Sequence, residues 1–551
     1  MKDFENDLIY YHNPDPIEEP RFILNSVEEL EKSTKYSVIC NGTERVVYHT
    51  DSFDYVVVVD DEAYDLEISI HTPFEKLAIR PTSFGIVPSV TGETVQIHLD
   101  EPKKFTVETD GGLHDALFVL CSRRIKKPEN TTIFSAEGYV SVALCWVALS
   151  LCGAIPLYFS GSFPNPVDAL FEIVSGFTTT GSSVLLDVES VHRAVLIWRS
   201  FSHWVGGMGV LVFMLALLPM GGASSMHLIR AESPGPSVGK LVPKVRSTAK
   251  ILYEIYSFLT IVLMILLVIS GCPVFDSINL AFATAGTGGF AVLNSSAADY
   301  NAATQWILTI FMILFGVNFN VYFLFYVKKW KDGLRCEEAR AYLGIILGSV
   351  ALISFNIYYL VRNVELTVRQ AAFQVASIIT TTGFGSADFD QWPEFSKCIL
   401  VLLMFIGACA GSTGGGIKVS RICIMAKSVM KEVAYIMHPR NIRKIRFEGK
   451  AVEHEVQRSI NVFMISYLGI FVASVLLISL DNLDGVTNFT AVAATLNNIG
   501  PGLSLVGPTC NFSMYSNFAK LVLVFDMLAG RLEIFPMLVP AVYLLRKKQL
   551  R

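Results

Sequence analysis

Beyond residue 132, the chain is a series of long apolar runs separated by short polar segments. Each run is long enough to cross a hydrocarbon core of about 30 Å at a helical rise of about 1.5 Å per residue. We therefore predict membrane-spanning segments at about 134–159, 194–219, 250–271, 303–327, 339–361, 396–426, 455–480 and 517–545.

A shorter, mildly apolar stretch lies between the two spans of each successive pair. The four stretches cover residues 167–177, 277–284, 368–379 and 486–496. A run of about a dozen residues is too short to span a bilayer, so each one alone is either a re-entrant segment or a buried core helix. Their matching positions favour four re-entrant segments.

The expected fold is therefore an α-helical polytopic membrane protein. We expect four pseudo-symmetric helix–pore loop–helix repeats around a central pore, at residues 123–219, 220–327, 328–426 and 427–551.

Residues 1–122 have a different pattern. Apolar and polar residues alternate at 55–60 and 94–99, and glycine-containing turn signals such as Asn41-Gly42 separate these runs. Period-two alternation between turns predicts a small all-β domain that precedes the helical part.

Composition and charge support a membrane protein and give it an orientation. The chain has 551 residues, of which only 17% are charged, and its net charge of -5 argues against a nucleic-acid partner. If the short stretches face outside, the inside segments carry 28 Lys and Arg residues, and the outside connections carry only Arg193, Arg362, Arg369 and Lys397. This asymmetry predicts that both termini are cytoplasmic.

Each short stretch ends in a turn that contains Thr or Asn together with glycine. The four turns read FTTTGSS at 177–183, TAGTGGF at 284–290, TTTGFG at 380–385 and TLNNIGPG at 495–502. Glycine allows consecutive carbonyl groups to point toward one axis, and four such turns would replace the hydration shell of a cation. The negative dipole ends of the preceding helices favour cations at the same place. The alternative is that the turns simply connect helices to loops.

A glycine-rich run interrupts the sixth predicted span. It consists of Gly411, Ser412, Thr413, Gly414, Gly415 and Gly416. Broken helices in membranes mark transport pathways, because freed backbone groups need water or protein partners. We predict a mobile loop below the turns that gates the pore; the alternative is close helix packing through small residues.

Arg531 lies deep in the last apolar run, with Asp526 and Glu533 nearby. An intramembrane arginine usually faces the interior of the bundle or a water-filled cavity, and it has a partner. It could hold the loop through hydrogen bonds to its carbonyls or form an electrostatic barrier. The alternative is a local salt bridge with Asp526.

These turns resemble those of the Trk/Ktr/HKT superfamily of potassium transporters, and the chain is most similar to its Trk-type membrane subunits. The resemblance covers about residues 132–551 and includes RSFSHWVGGMG at 199–209, ESPGPSVGK at 232–240, CAGSTGGGIK at 409–418 and FDMLAGRLEIF at 525–535. Trk-type subunits usually carry two further helices before the first repeat, so the predicted helix count matches the Ktr type.

The resemblance implies potassium uptake across the cytoplasmic membrane through a gated pore, without enzymatic activity. It also implies a homodimer and a separate cytoplasmic regulatory subunit of the TrkA type, the only place where a nucleotide (ATP, ADP or NAD) is expected. No covalently bound cofactor is expected, and K⁺ is expected only at the filter. The implied filter residues are Thr180, Gly181, Thr287, Gly288, Thr382, Gly383, Asn498, Ile499 and Gly500. The preference for potassium over sodium comes from the family alone.

Residues 36–122 resemble the N-terminal β-sandwich module of polysaccharide-cleaving glycosidases, through YSVICNG at 36–42, IRPTSFGIVP at 79–88 and HLDEPKK at 98–104. Glycoside hydrolysis needs two carboxyl groups across a sugar cleft, and no catalytic β-helix follows this module. A membrane-anchored carbohydrate-binding or sensor protein is the alternative function, but the charge asymmetry places the module inside. A carboxylate-coupled secondary transporter is the third possibility, although few acidic residues fall within the spans.

Overall fold

The computed structural model describes the backbone of residues 34–40, 43–50, 53–57, 78–81, 98–99, 105–108, 135–207, 209, 245–438 and 444–540. Side chains are described within 138–207, 209, 251–438 and 444–540. The chain divides into two compact units, Met1–Thr132 and Ile133–Arg551.

The N-terminal unit contains short strands. They are β1 (Thr34–Cys40), β2 (Thr43–Thr50), β3 (Phe53–Val57), β4 (Ala78–Pro81), β5 (His98–Leu99) and β6 (Phe105–Glu108). One sheet has the order β3-β2-β1-β5, in which β1 pairs antiparallel with β2 and parallel with β5, and β4 pairs with β6 separately. The side-chain packing that would make a β-sandwich lies outside the described residues.

The second unit is helical over most of its described length. Its helices are α1 (Ser135–Phe159), α2 (Pro166–Phe177), α3 (Arg193–Gly207), α4 (Val245–Ile269), α5 (Val274–Gly286), α6 (Ala302–Phe315), α7 (Phe319–Tyr326), α8 (Trp330–Leu334), α9 (Glu337–Val361), α10 (Val364–Ile379), α11 (Glu394–Ile406), α12 (Val419–Met437), α13 (His454–Ile478), α14 (Gly485–Leu496) and α15 (Asn517–Arg531). A two-stranded hairpin, β7 (Arg446–Phe447) and β8 (Lys450–Ala451), lies between α12 and α13.

Helices α2, α5, α10 and α14 occupy the four short stretches that the sequence predicts. Three of them begin at a side-chain cap, in which Asn165, Asn363 or Asp484 accepts a hydrogen bond from a backbone N–H of the first turn. These caps satisfy helix-end donors that burial would otherwise leave without partners. The C-terminal halves of all four helices are buried, so they form the centre of the helical unit.

Fewer helices are long and continuous than the hydropathy pattern predicts. Among the described residues, four helices are long and apolar enough to cross a membrane, and a fifth span exists if α6 and α7 are counted together. The predicted span at about 303–327 is not one straight helix, because the chain bends by 87° between α6 and α7. Gly316 ends α6, and the Asn318 side chain caps α7 by accepting from the Asn320 N–H at 2.9 Å.

The last predicted span, 517–545, is also interrupted. Helix α15 ends at Arg531, and Glu533 and Ile534 have positive φ angles of 55° and 72°. Helical backbone resumes at residue 535. Apolar composition determines where a chain enters a membrane, whereas caps, glycines and left-handed residues determine where a helix stops, so hydropathy alone misses these breaks.

Candidate functional site

The four short helices end in turns with the same hydrogen-bonding pattern. In each turn, one backbone N–H donates to the carbonyl five residues earlier at 2.8 Å. The pairs are Thr180 to Ser175, Gly288 to Ala283, Thr382 to Ser377 and Ile499 to Ala494. Together with a second bond from the preceding residue, this is the Schellman pattern, which ends a helix with one left-handed residue.

The left-handed residue in each turn is not glycine. Thr179, Thr287, Thr381 and Asn498 have φ angles of 58°, 55°, 58° and 56°. A side chain in this region costs about 1–2 kcal/mol per residue. Four strained residues at matching places mark a functional site, because surrounding structure has to hold each of them.

A glycine with positive φ follows two residues later in every turn. These glycines are Gly181, Gly289, Gly383 and Gly500, with φ angles of 82°, 76°, 84° and 105°. Three of the four are the filter glycines of the sequence analysis. In the second turn, Gly289 occupies this position. The predicted residue Gly288 lies one position earlier, at the place that Thr382 and Ile499 occupy in their own turns.

The four turns close into a ring through these glycines, because each glycine lies against a carbonyl oxygen of the next turn. A methyl group built on Gly181 would lie 2.0 Å from the Gly288 carbonyl oxygen, and one built on Gly289 would lie 2.0 Å from that of Thr382. On Gly383 the distance to the Ile499 carbonyl oxygen would be 1.9 Å, and on Gly500 the distance to that of Thr180 would be 2.9 Å. A side chain therefore cannot be accommodated without moving backbone.

The ring brings together four buried carbonyl oxygens, those of Thr180, Gly288, Thr382 and Ile499, which we call the ring carbonyls. Within the described part of the chain, no hydrogen-bond donor reaches any of them. Buried backbone carbonyls are almost always paired with a donor, water or an ion. The four ring carbonyls therefore need a partner of this kind.

Side-chain hydrogen bonds tie the first and fourth turns together. The Asn498 side-chain N–H₂ donates to Thr180 Oγ1 at 2.9 Å and to the Met527 carbonyl at 2.9 Å. The Ser182 hydroxyl donates to the Gly500 carbonyl at 3.1 Å. These contacts join residues 318 positions apart in the sequence and close the ring.

Residues 407–418, which we call the glycine loop, separate α11 from α12 and pack against the third and fourth turns. The Gly415 N–H donates to Thr381 Oγ1 at 2.6 Å. A methyl group on Gly415 would lie 2.3 Å from the Asn497 carbonyl oxygen, and one on Gly414 would lie 2.8 Å from that of Thr380. The predicted gate residues therefore lie directly against the turns, and glycine is the residue that allows this approach.

Arg531 lies between the glycine loop and the end of α3. Its guanidinium donates to the Thr413 carbonyl at 2.8 Å and to the carbonyls of Gly206 and Gly207, the latter at 2.7 Å. It also reaches Thr179 Oγ1 at 3.5 Å. A cation at the C-terminal carbonyls of α3 is favourable, because those groups carry the negative end of the helix dipole.

The two acidic residues near Arg531 have partners elsewhere. Asp526 accepts a hydrogen bond from the Ser474 hydroxyl at 2.6 Å. Glu533 forms a salt bridge with Arg421. These contacts favour the interpretation of Arg531 as a contact to the loop.

Glu338, on the first turn of α9, contacts both the glycine loop and the first turn of α12, and the sequence analysis did not identify it. Its carboxylate is 3% exposed and accepts from the backbone N–H groups of Ala410 at 2.7 Å and Ser420 at 3.1 Å. The other oxygen accepts from the Asn318 side chain at 3.3 Å. No sequence signal separates it from its neighbour Glu337, because both lie in the polar segment that precedes the predicted span at 339–361.

The β7–β8 hairpin contacts the same end of α9. The Glu448 carboxylate accepts from the backbone N–H of Glu338 at 2.9 Å and from the Cys336 thiol at 3.2 Å. An acidic side chain at a helix N-terminus satisfies a free N–H and interacts favourably with the helix dipole.

Among the described residues there is no group of three or more His, Cys, Asp or Glu side chains that could hold a metal ion. The polar atoms that the four turns bring together are backbone carbonyl and side-chain hydroxyl oxygens.

Comparisons with known proteins agree with a cation pathway. Residues 113–550 match the TrkH family, described as cation transport protein. The chain is 37% identical over 418 residues to the Trk system potassium uptake protein TrkH of Salmonella typhimurium, covering 75% of this chain and 86% of the relative. It is 32% identical to the Trk system potassium uptake protein TrkG of Escherichia coli, covering 75% and 86%.

The chain is also similar to a solved structure. The crystal structure of the potassium transporter TrkH from Vibrio parahaemolyticus superposes with a TM-score of 0.68 at 32% identity, covering 77% of this chain and 88% of that one. The family match begins at residue 113 and gives no support to the glycosidase resemblance of residues 36–122. The relatives named here are transport proteins and not enzymes.

Proposed function

Since this chain belongs to the TrkH family of cation transport proteins, we propose that it takes up potassium across the cytoplasmic membrane as the membrane subunit of a Trk-type system. The observation that carries the proposal is the set of four unpaired, buried ring carbonyls. The relatives named as potassium uptake proteins support potassium as the ion.

The proposed filter consists of the four turns. Their backbone carbonyls replace the hydration shell of K⁺, and the buried helices that precede them direct their negative dipole ends at the ion. The roles fall on Thr180, Gly181, Thr382, Gly383, Asn498, Ile499 and Gly500, and in the second turn on Thr287, Gly288 and Gly289. The common hydrogen-bonding pattern supports four pseudo-symmetric helix–pore loop–helix repeats at 123–219, 220–327, 328–426 and 427–551.

The glycine loop and Arg531 form the proposed gate. The loop lies against the turns through Gly415 and Thr381, and a single guanidinium joins the Thr413 carbonyl to the end of α3. A loop held by a few hydrogen bonds has two accessible positions separated by a small free energy, and contacts elsewhere on the protein can shift that balance.

The chain is a multi-pass membrane protein, and the proposal places both of its termini in the cytoplasm, as the distribution of Lys and Arg indicates. It also includes a homodimer and a cytoplasmic, nucleotide-binding regulatory subunit of the TrkA type. Such a partner would reach the loop most directly through the β7–β8 hairpin, because Glu448 contacts the turn of α9 that carries Glu338.

Growth of a potassium-uptake-deficient strain at limiting K⁺ tests the proposal, combined with tracer flux into proteoliposomes. We expect the chain to restore growth and to transport K⁺ in preference to Na⁺. Gly383→Ser should abolish or alter this selectivity, whereas Gly344→Ser on α9, where an added side chain meets no atom within 4 Å, is the matched control. An inserted chain that transports no K⁺, or equal selectivity in Gly383→Ser and the wild type, would refute the proposal.

A further inference from the structure

A buried ion pair lies behind the first turn. Glu172 on α2 and Arg199 on α3 are 0% and 2% exposed, and the distance from Arg199 Nη2 to Glu172 Oε1 is 2.6 Å. A second hydrogen bond runs from Arg199 Nε to the same carboxylate at 2.8 Å. Removing two charges from water is expensive, and only close geometry with further hydrogen bonds compensates for it.

The carboxylate of Glu172 also holds the chain that leaves the first turn. It accepts from the Ser183 hydroxyl at 2.9 Å and from the Val184 backbone N–H at 2.9 Å. These residues lie two and three positions after Gly181, so the Glu172 carboxylate fixes the chain where it leaves the first turn.

Arg199 extends the same contact to the second turn. Its guanidinium carbon lies 4.0 Å from the centre of the Phe290 ring, a cation–π distance, and Phe290 follows the ring glycine Gly289. His203 supports this ring from α3, since its Nδ1–H donates to the Gly176 carbonyl at 2.8 Å and its Nε2 accepts from the Phe290 N–H at 3.4 Å. The ion pair therefore links the exits of two neighbouring turns.

The third turn has a neutral counterpart. Gln374 has the same offset from Gly383 as Glu172 has from Gly181, and its side chain donates to the Ala387 carbonyl at 3.2 Å. The described part of the chain thus supports the first turn by an ion pair and the third by a neutral amide. The contacts that support the ring therefore differ between the first and third turns.

We infer that the Glu172–Arg199 ion pair determines cation selectivity by positioning the first and second turns, whose ring carbonyls belong to Thr180 and Gly288. The inference rests on the proposed function of these turns as a potassium filter. Neither side chain is one of the ion ligands in that proposal. Selectivity in a carbonyl filter depends on the number, field strength and freedom of the coordinating dipoles, and the ion pair restricts this freedom in two of the four turns.

A merely structural pair would not need to be charged. A buried ion pair can often be replaced by apolar residues of similar volume without loss of stability, so its presence has to be explained by geometry. Here a planar guanidinium with fixed donor directions bonds a carboxylate on one edge and covers an aromatic ring with its face. No aliphatic pair could fix the backbone at Val184 and the ring of Phe290 together.

The test measures competition between K⁺ and Na⁺ in proteoliposomes that contain the full chain. Glu172→Gln, which keeps the shape but removes the charge, should lower the K⁺ preference by about tenfold, equivalent to about 1.4 kcal/mol. Arg199→Lys keeps the charge but loses the planar face, so it should give a smaller shift in the same direction.

The matched control is Asp168→Asn, which removes another ion pair of α2. Asp168 pairs with Lys520 at 2.6 Å in the first turn of the helix, away from its C-terminal turn. We expect unchanged selectivity in this variant. A shift equal to that of Glu172→Gln would overturn the inference, because it would reflect general loosening of α2.

Insertion failure of the single variants would not end the test. The double variant Glu172→Gln/Arg199→Gln leaves no uncompensated buried charge, and its two amides can still bond each other. Wild-type selectivity in the double variant and in Arg199→Lys would overturn the inference, whereas reduced selectivity in both would support it. Absence of K⁺-selective flux in the wild type would instead refute the proposed function.

Discussion

Removal of the Arg531 side chain should open the gate. In the structure this guanidinium makes one hydrogen bond to the glycine loop, to the Thr413 carbonyl at 2.8 Å. Its bonds to Gly206 and Gly207 anchor it to the end of α3, which does not belong to the loop. Arg531→Ala therefore separates the loop from its support, and the loop keeps its contact between Gly415 and Thr381.

The size of the effect follows from the bond that is lost. A hydrogen bond to a charged group contributes about 1.5–3 kcal/mol net, which corresponds to a factor of roughly ten to a hundred and fifty in a two-state equilibrium. K⁺ flux should rise by up to this factor and should depend less on the regulatory partner. The contacts that remain, among them the neutral bond between Gly415 and Thr381 at about 0.5–1.5 kcal/mol and the bond from Ala410 to Glu338, leave a weaker preference for the closed position.

Tracer flux into proteoliposomes measures this change, with protein content matched by quantitative blotting. Shortening residues 411–416 by three should raise the flux in the same direction. The effect of the two changes together on the flux should be smaller than the sum of their separate effects, since both remove the same contact between Arg531 and the loop. Arg369→Ala provides the matched arginine control, because Arg369 pairs with Glu365 on α10 and makes no hydrogen bond to the glycine loop.

Two outcomes would refute this reasoning. If shortening the loop lowers the flux, the glycines serve helix packing and not gating. If the effects of the deletion and of Arg531→Ala simply add, the loop and the arginine do not act through a common contact.

Three further predictions follow from the same geometry. Gly383→Ser should lose or change ion selectivity, because its Cβ would lie 1.9 Å from the Ile499 carbonyl oxygen; unchanged K⁺/Na⁺ competition at equal expression would contradict the filter assignment. Thr381→Val keeps the side-chain shape but removes the acceptor for the Gly415 N–H, so basal flux should rise about two- to tenfold, and a fall in tracer flux would count against it. A chain without residues 1–122 should still insert and transport K⁺, since all four turns lie beyond the cut; normal insertion without transport would make the N-terminal unit a working part.

The local features of the site could be predicted because they are encoded locally. A short apolar stretch, a Thr- or Asn-rich turn and a glycine recur four times, and the structure has a short helix and a left-handed glycine at each place. The glycine run at 411–416 indicated a break in a helix, and the chain has such a break between α11 and α12.

The register of the second turn could not be predicted. Three glycines, Gly286, Gly288 and Gly289, surround Thr287, so the sequence pattern allows more than one alignment with the other turns. The hydrogen bond from Gly288 to Ala283 selects one of them and places Gly289 against the next turn. The left-handed conformation of the turn threonines could not be predicted either, because threonine intrinsically disfavours this backbone conformation.

Contacts between distant segments were also beyond the sequence. Glu172 lies between two apolar residues and Glu338 follows Glu337, and their partners lie 27 and 82 residues away at Arg199 and Ser420. A single sequence gives no information about which distant residues form such pairs. The chain breaks at Asn318 and Ile534 were missed because the apolar pattern continues through both.

The closure of the ring between the first and fourth turns has a consequence for biosynthesis. The two contacts that close it join residues 318 positions apart, so no nascent chain can form them until almost the whole protein has been made. At a synthesis rate of about 5–20 residues per second, the first turn exists for roughly 15 to 60 s before the fourth turn has been synthesised. During that interval the Thr180 carbonyl lacks the Gly500 backbone against which it lies in the finished ring. The last repeat to be synthesised therefore determines whether the three repeats before it become a pore.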